Sequence, residues 1–219
     1  MELNYTNLKH RQRQERDQYP IDLGLRVHRA LSWLNRSEQC DADLDAEFIF
    51  LWIAFNAAYA SDLSLMRDFS EKMVFARFLK KLCDLDSDQR LSKIIWSTYP
   101  GSIRVLLDNP YVAQEFWDYH NAKITKEEFE ARFQQSKASV ARALGKKRTG
   151  RVLGIIFNRL YVLRNQLIHG GSTWNSKVNR DQIRDSVAIL SKLVPAIIAI
   201  MMDHPETFWG SPSYPVIEN

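Results

Sequence analysis

One stretch of the chain combines residue types that could act on a phosphodiester. Arg164, Asn165 and His169 lie close together, and the pair Gly170-Gly171 follows directly. Arginine offers phosphate a permanent positive charge, histidine accepts or donates a proton near neutral pH, and the asparagine amide can orient either group. These are the groups needed to cleave RNA without a metal ion, so the functional hypothesis depends mainly on this stretch.

The same stretch ends a helix that has one apolar stripe. The stripe recurs at three- and four-residue steps and contains Leu153, Ile156, Leu160, Leu163 and Leu167. This pattern predicts a helix over about 151–169. On an ideal helix, Arg164 and His169 point about 140° apart and are separated by about 7.5 Å along the axis. Either the two glycines distort the last turn, or a two-fold axis brings two copies of both residues to one cleft.

The opposite face of this helix carries no formal charge. It contains Ile155, Asn158, Val162, Asn165 and His169. A face turned to solvent usually carries more lysine and glutamate, so the sequence predicts that the helix is covered on both sides. The second cover is either the middle region of the chain or a second copy of the protein.

Two other features are candidates for substrate binding. A basic turn that opens the same helix contains Lys146, Lys147, Arg148 and Arg151, and free backbone N–H groups at a helix start favour phosphate. Trp174, just after the glycines, is a candidate for stacking on a base. Each feature also has a structural reading, as a solvated loop or as a packing residue. His169 could likewise serve only the helix dipole, and Arg164 could pair with a carboxylate on a neighbouring helix.

Composition favours an ordinary soluble globular protein in a reducing compartment. The chain has 219 residues, of which 45% are hydrophobic and 26% charged, with a net charge of +4. That charge permits a nucleic-acid partner without requiring one. The two cysteines are isolated, which argues against a zinc site or a disulfide scaffold. We expect no metal, no cofactor and no membrane partner. Because the first residues lack an apolar signal core, we expect a cytoplasmic location.

Helical periodicity dominates the whole chain, which predicts an all-α fold. We expect a basic, mobile arm over 1–20, a single helical domain over 21–203 with a helical insertion at about 64–145, and an irregular tail over 204–219. We call the helix over about 151–169 the motif helix. The other predicted helices cover about 22–36, a segment beginning after Asp41–Asp45, 70–84, 87–97, 101–108, 110–121, 125–144 and 181–203. The last of them should have a kink at Pro195.

Two segments resemble the HEPN superfamily, whose signature is an arginine, a polar residue, three variable positions and a histidine late in a helical bundle. Here Arg164 to His169 match that signature, and Phe48–Tyr59 resembles an early helix of Apea-like bacterial members. The resemblance implies a HEPN-type bundle and a homodimer with one composite site. It also implies that Arg164 and His169 carry the chemistry, with Asn165 at the scissile phosphate.

The activity implied is that of a metal-independent endoribonuclease in a defence or toxin–antitoxin setting. A neutral His169 imidazole would take the proton from a ribose 2′-OH, and the 2′-oxygen would attack the adjacent phosphorus. Arg164 would stabilise the charge on the phosphate oxygens. The alternative is a non-catalytic helical module that binds RNA, a nucleotide or a partner protein, such as an antitoxin or another component of a defence system.

Overall fold

The computed structural model describes residues 2–60, 71–98, 100–212 and 214. Within them the chain forms ten α-helices and no β-strand, so the all-α prediction is confirmed. The helices are α1 (Tyr5–Glu15), α2 (Ile21–Ser37), α3 (Leu44–Tyr59), α4 (Glu71–Leu85), α5 (Arg90–Lys93), α6 (Pro100–Asp108), α7 (Gln114–His120), α8 (Lys126–Gly145), α9 (Thr149–Ile168) and α10 (Arg180–Asp203).

Most predicted helices agree with these bounds to within about two residues, and two do not. The predicted helix 87–97 is a short α5 followed by a π-helical segment, Ile94–Thr98. The predicted helix 110–121 is a 3₁₀ turn, Pro110–Val112, followed by α7. The backbone of Ala113 between them is extended, which ends the turn before α7 begins.

The chain folds as two compact units. The first contains Met1–Leu91 and Val187–Asn219, and the second contains Ser92–Ser186. This division differs from the predicted single domain with an insertion at 64–145. The second unit begins later than the predicted insertion and includes the motif helix α9.

In the first unit, α3 packs on α2 and supplies much of the core. Asp43 caps the start of α3 by accepting a hydrogen bond from the Ala46 N–H (3.1 Å). The apolar run that follows buries its rings against those of α4. We call these rings the buried aromatic cluster: Phe48, Trp52, Phe55, Tyr59, Phe75 and Phe78.

The prediction of a mobile arm at the N-terminus is wrong for residues 5–15, which form α1. Asn4 caps this helix by accepting from the Asn7 N–H (3.0 Å). The helix packs on α2, and Leu8 and Gln12 are buried. The sequence is so polar that a single leucine carries the apolar contact, which is why periodicity did not reveal the helix.

The described part of the C-terminal tail, 204–212 and 214, is irregular but fixed to the first unit. A fully buried arginine on α2, Arg26, holds it. Its guanidinium donates hydrogen bonds to the carbonyl groups of Ala58, Ala60, Gly210 and Ser211. Arg26 therefore caps the end of α3 and fastens the tail with the same group, and burial lowers its pKa to about 10.

In the second unit, α6, α8 and the 3₁₀ turn contact α9. The predicted capping box starts α8: Thr125 and Glu128 exchange hydrogen bonds between side chain and backbone. Near the other end of α8, Val140 and Ala143 are buried. The α9 side chains Val152, Leu153, Ile156, Phe157, Leu160 and Leu163 are buried as well, which fixes the orientation of the motif helix.

The last helix, α10, continues through Pro195. By length and composition alone it is apolar enough to cross a membrane, and 78% of its most apolar window is buried within the chain. The core helix of a soluble protein has the same properties, so this finding is only a weak sign of a membrane span.

Candidate active site at the end of α9

The two glycines end α9 in a specific hydrogen-bonded turn. Gly170 has a φ of +69°, in the left-handed region. Its N–H donates to the Leu167 carbonyl (3.2 Å), and the Gly171 N–H donates to the Gln166 carbonyl (2.7 Å). This is the Schellman arrangement, which satisfies carbonyl groups that a helix end leaves unpaired. A Cβ at position 171 would lie 3.1 Å from the Gln166 oxygen, so the close approach also favours glycine there.

The turn places His169 at the C-cap, where the chain leaves the helix. Its backbone N–H still donates to the Asn165 carbonyl (3.0 Å), and its side chain is exposed. No described residue forms a hydrogen bond, an ion pair or a ring contact with its imidazole. The imidazole is therefore free to meet a ligand, although a position at the helix end also suits the helix dipole.

Arg164 and Asn165 are joined through their side chains. The Arg164 Nη1 donates to the Asn165 Oδ1 (2.9 Å), and the guanidinium carbon lies 6.0 Å from the centre of the Tyr161 ring. Its Nε is buried without a hydrogen-bond partner. None of the described carboxylates forms an ion pair with Arg164, which contradicts the structural alternative of pairing with an acid on a neighbouring helix.

Sequence reasoning missed the role of Gln166, the residue after the arginine–asparagine pair. Its Nε2 donates to the Tyr111 carbonyl in the 3₁₀ turn (2.7 Å), and its Oε1 accepts from the Asn179 side chain (3.5 Å). Gln166 thus ties the last turn of α9 to the segments on either side of it. The only signal in the sequence was an amide inside the motif, and its partners are distant in the sequence.

A second arginine on α9, Arg159, is buried on another face. Its Nη2 donates to the Ser136 Oγ (3.0 Å), and its Nη1 lies 3.6 Å from a Glu115 oxygen. Its Nε has no hydrogen-bond partner, and neither does that Glu115 oxygen. Burial lowers the pKa of Arg159 despite the nearby carboxylate. This is an incompletely closed ion pair, and it does not include the motif residues.

The structure does not bring the predicted phosphate-binding turn to the motif within one chain. Lys146, Lys147 and Arg148 are exposed before the start of α9, and His169 lies just after its end. At 1.5 Å per residue, about 30 Å separates Arg148 from His169. The start of α9 has no acidic residue in its first turn and no side-chain cap. The start of α9 therefore remains open to an anion, but not to one held at His169 of the same chain.

Two more predicted substrate-binding residues are placed as follows. Trp174 is 73% exposed and lies in the loop that follows the two glycines, beyond the C-terminal end of α9. Arg151 is exposed near the start of α9, where its Nη2 is 3.5 Å from the Ser139 Oγ. Trp174 is thus the nearer of the two to His169 along the chain.

The predicted cover on the back face of α9 is incomplete within the described residues. Val162 is buried and Ile155 is half-buried, but Asn158 and His169 are exposed. The middle region packs on other sides of the helix, through contacts such as Arg159 to Ser136. The back face is therefore open to solvent at Asn158 and His169.

No described group of three or more histidine, cysteine, aspartate or glutamate side chains is arranged to hold a metal ion. No protein-family model matches the chain, and no curated protein or solved structure shows significant similarity to it. The assignment of function therefore depends on the residues and their geometry, together with the short motif resemblance.

Proposed function

We propose that the protein is a metal-independent endoribonuclease that acts as a homodimer, in a defence or toxin–antitoxin setting in the cytoplasm. The observation that carries the proposal is the incomplete pairing of the Arg164 guanidinium. Arg164 is half-buried, lacks a carboxylate partner among the described residues and keeps one N–H unsatisfied. A buried donor left unpaired is costly, and an anionic ligand such as a phosphate would satisfy it.

The reaction follows from the three motif residues. The exposed His169 imidazole takes the proton from a ribose 2′-OH, and the 2′-oxygen attacks the adjacent phosphorus. The bond from phosphorus to the 5′-oxygen breaks, and the 5′-oxygen receives a proton from the imidazolium so formed or from water. The products are a 2′,3′-cyclic phosphate and a 5′-hydroxyl end. Arg164 stabilises the negative charge that develops on the phosphate oxygens, while Asn165 holds the guanidinium through the bond between their side chains.

The site needs a second copy, because Arg164 and His169 leave one helix in different directions. An uncharged, partly exposed stripe runs along α9 at heptad spacing: Gly154, Asn158, Tyr161, Asn165 and Ile168. Ile168, at its end, is 48% exposed. A two-fold axis near Ile168 would cover this apolar side chain and bring Arg164 of one copy towards His169 of the other.

Such a dimer also gives the basic turns a role. With the axis near the ends of the two α9 helices, each basic turn lies about 30 Å from the cleavage site. Lys146, Lys147, Arg148 and Arg151 would then bind phosphates several nucleotides away from the cut. Trp174, in the loop after the glycines, would stack on a base closer to the cut.

The direct test is cleavage of single-stranded RNA in the presence of EDTA. We expect cleavage to persist under chelation and to fall about 10²–10⁴-fold in His169→Ala. Arg164→Ala should lose about 10²–10³-fold, because it removes one charge-stabilising group. Loss of activity under EDTA, or full activity in His169→Ala, would contradict the proposal.

Matched controls remove the same groups elsewhere. His10→Ala deletes an exposed imidazole on α1, and Arg104→Ala deletes an exposed guanidinium on α6. Neither should change the cleavage rate. The dimer is tested by Ile168→Cys in a background without Cys40 and Cys83: oxidation should link two copies, whereas Asn158→Cys, nearly three turns away, should not.

One observation favours a second candidate, a non-catalytic module that binds RNA or a nucleotide through the same residues. Arg164 already donates to Asn165 and lies near the face of Tyr161, so in a single chain it does not point at the histidine. Under this alternative, Arg164→Ala weakens a salt-dependent gel shift with RNA and no product appears at any enzyme concentration.

A further inference from the structure

A second candidate site lies on three consecutive elements of the second unit. The 3₁₀ turn, α7 and the first half of α8 carry rings that contact one another in a chain. We call them the exposed aromatic surface: Tyr111, Phe116, Trp117, Tyr119, His120, Phe129 and Phe133. Ring centroids are 5.0 Å apart for Tyr111 and Phe116, 4.2 Å for Phe116 and His120, and 5.7 Å for Tyr119 and Phe129, whose rings are parallel to within 11°.

These rings form a surface as well as a packing contact. Helix α7 has no buried residue, and in α8 the buried residues, Val140 and Ala143, lie beyond the rings. Tyr111 is 49% exposed, His120 is exposed and the others are half-buried. The rings hold the α7–α8 pair together while their remaining faces and edges stay accessible to solvent. Exposed aromatic area of this kind is typical of an interaction site.

The charge around the rings identifies the kind of partner. Over 111–133, the range that carries the rings, the chain has five carboxylates and three cationic side chains, Lys123, Lys126 and Arg132, with one histidine. This gives a local charge of −2, with the histidine neutral, in a chain whose net charge is +4. The two lysines lie 3.8 Å from Asp118 and Glu130, too far for strong hydrogen bonds. A phosphate-bearing partner is repelled by such a surface, and a cationic one is attracted.

One end of the surface already shows a cation between a ring and a carboxylate. The Arg159 guanidinium lies 5.9 Å from the centre of the Phe133 ring and 3.6 Å from Glu115. The Lys137 ammonium is 5.5 Å from the centre of the same ring. The chain itself therefore demonstrates the chemistry that the rest of the surface offers to an incoming side chain.

We propose that the exposed aromatic surface binds an arginine-bearing segment of a partner protein. The planar guanidinium stacks on aromatic faces and pairs with carboxylates through two parallel hydrogen bonds, which an ammonium does not do. The surface also reaches the last turn of the motif helix, through the Tyr111 carbonyl. The Tyr111 carbonyl accepts from both the Trp117 Nε1 (2.8 Å) and the Gln166 Nε2 (2.7 Å). A partner bound here therefore sits beside the proposed active site, but the binding itself does not depend on RNA cleavage.

The test uses two fluorescent peptides of equal length and charge, one with six arginines separated by glycines and the other with six lysines, at near-physiological salt. We expect the arginine peptide to bind roughly three- to tenfold more tightly than the lysine peptide, because guanidinium groups gain the ring and bidentate contacts. Equal affinities, or no binding of either peptide, would overturn the proposal.

Two double variants locate the binding. Asp118→Asn with Glu127→Gln removes two charges beside the rings, and should weaken the arginine peptide roughly three- to tenfold. Asp17→Asn with Glu206→Gln removes the same charge in the first unit and should leave affinity unchanged. Circular dichroism checks that helix content is retained. If both double variants behave alike, or if the first one abolishes binding of oligouridine, the surface is not an arginine site. The proposal then fails whatever the result of the cleavage assay.

Discussion

The two compact units differ in how far their clustered aromatic rings are buried and in how completely their buried polar atoms are paired. The first unit buries its aromatic cluster, with Phe55 fully inaccessible to solvent, whereas the second unit buries Phe157 but leaves the rings of the exposed aromatic surface partly accessible. Buried polar atoms show the same contrast. Seven such side-chain atoms of the described residues lack a hydrogen-bond partner, and six of them belong to the second unit: those on Glu115, Arg159, Arg164, Ser172, Gln182 and Ser186.

This contrast indicates a division of labour. Native structures pair nearly all buried polar groups, so a concentration of exceptions in one unit needs an explanation. Local rules are most often broken at functional sites. We therefore assign stability mainly to the first unit and ligand binding to the second, where the motif, the unsatisfied guanidinium and the exposed rings all lie.

The largest expected effect is on the buried rings. Phe55→Ala should lower the free energy of unfolding by about 3–5 kcal/mol, because it leaves a cavity among tightly packed rings. Phe116→Ala, on the exposed aromatic surface, should cost only about 1–2 kcal/mol, since its ring is already partly hydrated. Urea unfolding monitored by circular dichroism measures both. Equal losses would show that the two aromatic clusters have the same structural role.

The two buried arginines provide the next comparison. Arg26→Met should cost about 3–5 kcal/mol, because several backbone carbonyl groups lose their donor. Arg159→Met should change stability by less than about 1 kcal/mol. Its hydrogen bonds are incomplete, and Glu115, with a side chain 30% exposed, can turn to water. The same unfolding assay applies, and a larger loss for Arg159→Met than for Arg26→Met would reverse the assignment of the two units.

The smallest expected effects concern two glycines of the motif helix. Gly170→Ala should cost about 1–2 kcal/mol, because the turn needs a positive φ there. Gly154→Ala should gain about 0.5–1 kcal/mol in the monomer, since a Cβ there meets no atom within 4 Å. Thermal unfolding of dilute protein tests both. If Gly154→Ala also weakens dimerisation, the uncharged stripe from Gly154 to Ile168 lies in the interface.

Sequence patterns predicted the helices well wherever the local signal was strong. The Thr125 capping box placed the start of α8, and the leucine stripe placed α9 to within two residues. The α1 helix was missed because its stability depends on one leucine packing on α2. The break at Ala113 was missed because no proline or glycine marks it.

The candidate site could be predicted only in part. The motif residues and the helix end that presents them were identified from spacing and the two glycines. Two features of the site depend on tertiary structure and could not be inferred: Arg164 lacks a carboxylate partner among the described residues, and the basic turn lies far from His169. The exposed aromatic surface had a signal in the sequence: rings recur at three- and four-residue steps within 116–120 and 129–133, with acids beside them. Exposure of these rings was not predictable from that pattern.

The most direct measurement of the central claim is the chemistry of the cut ends. An RNA with one 2′-deoxy nucleotide at the cleavage position isolates the attacking group, and an otherwise identical all-ribose RNA is the control. We predict a 2′,3′-cyclic phosphate and a 5′-hydroxyl from the all-ribose RNA, and no cut at the deoxy position. Cleavage through the deoxy nucleotide, or 5′-phosphate ends, would contradict a mechanism in which His169 activates the 2′-OH beside Arg164.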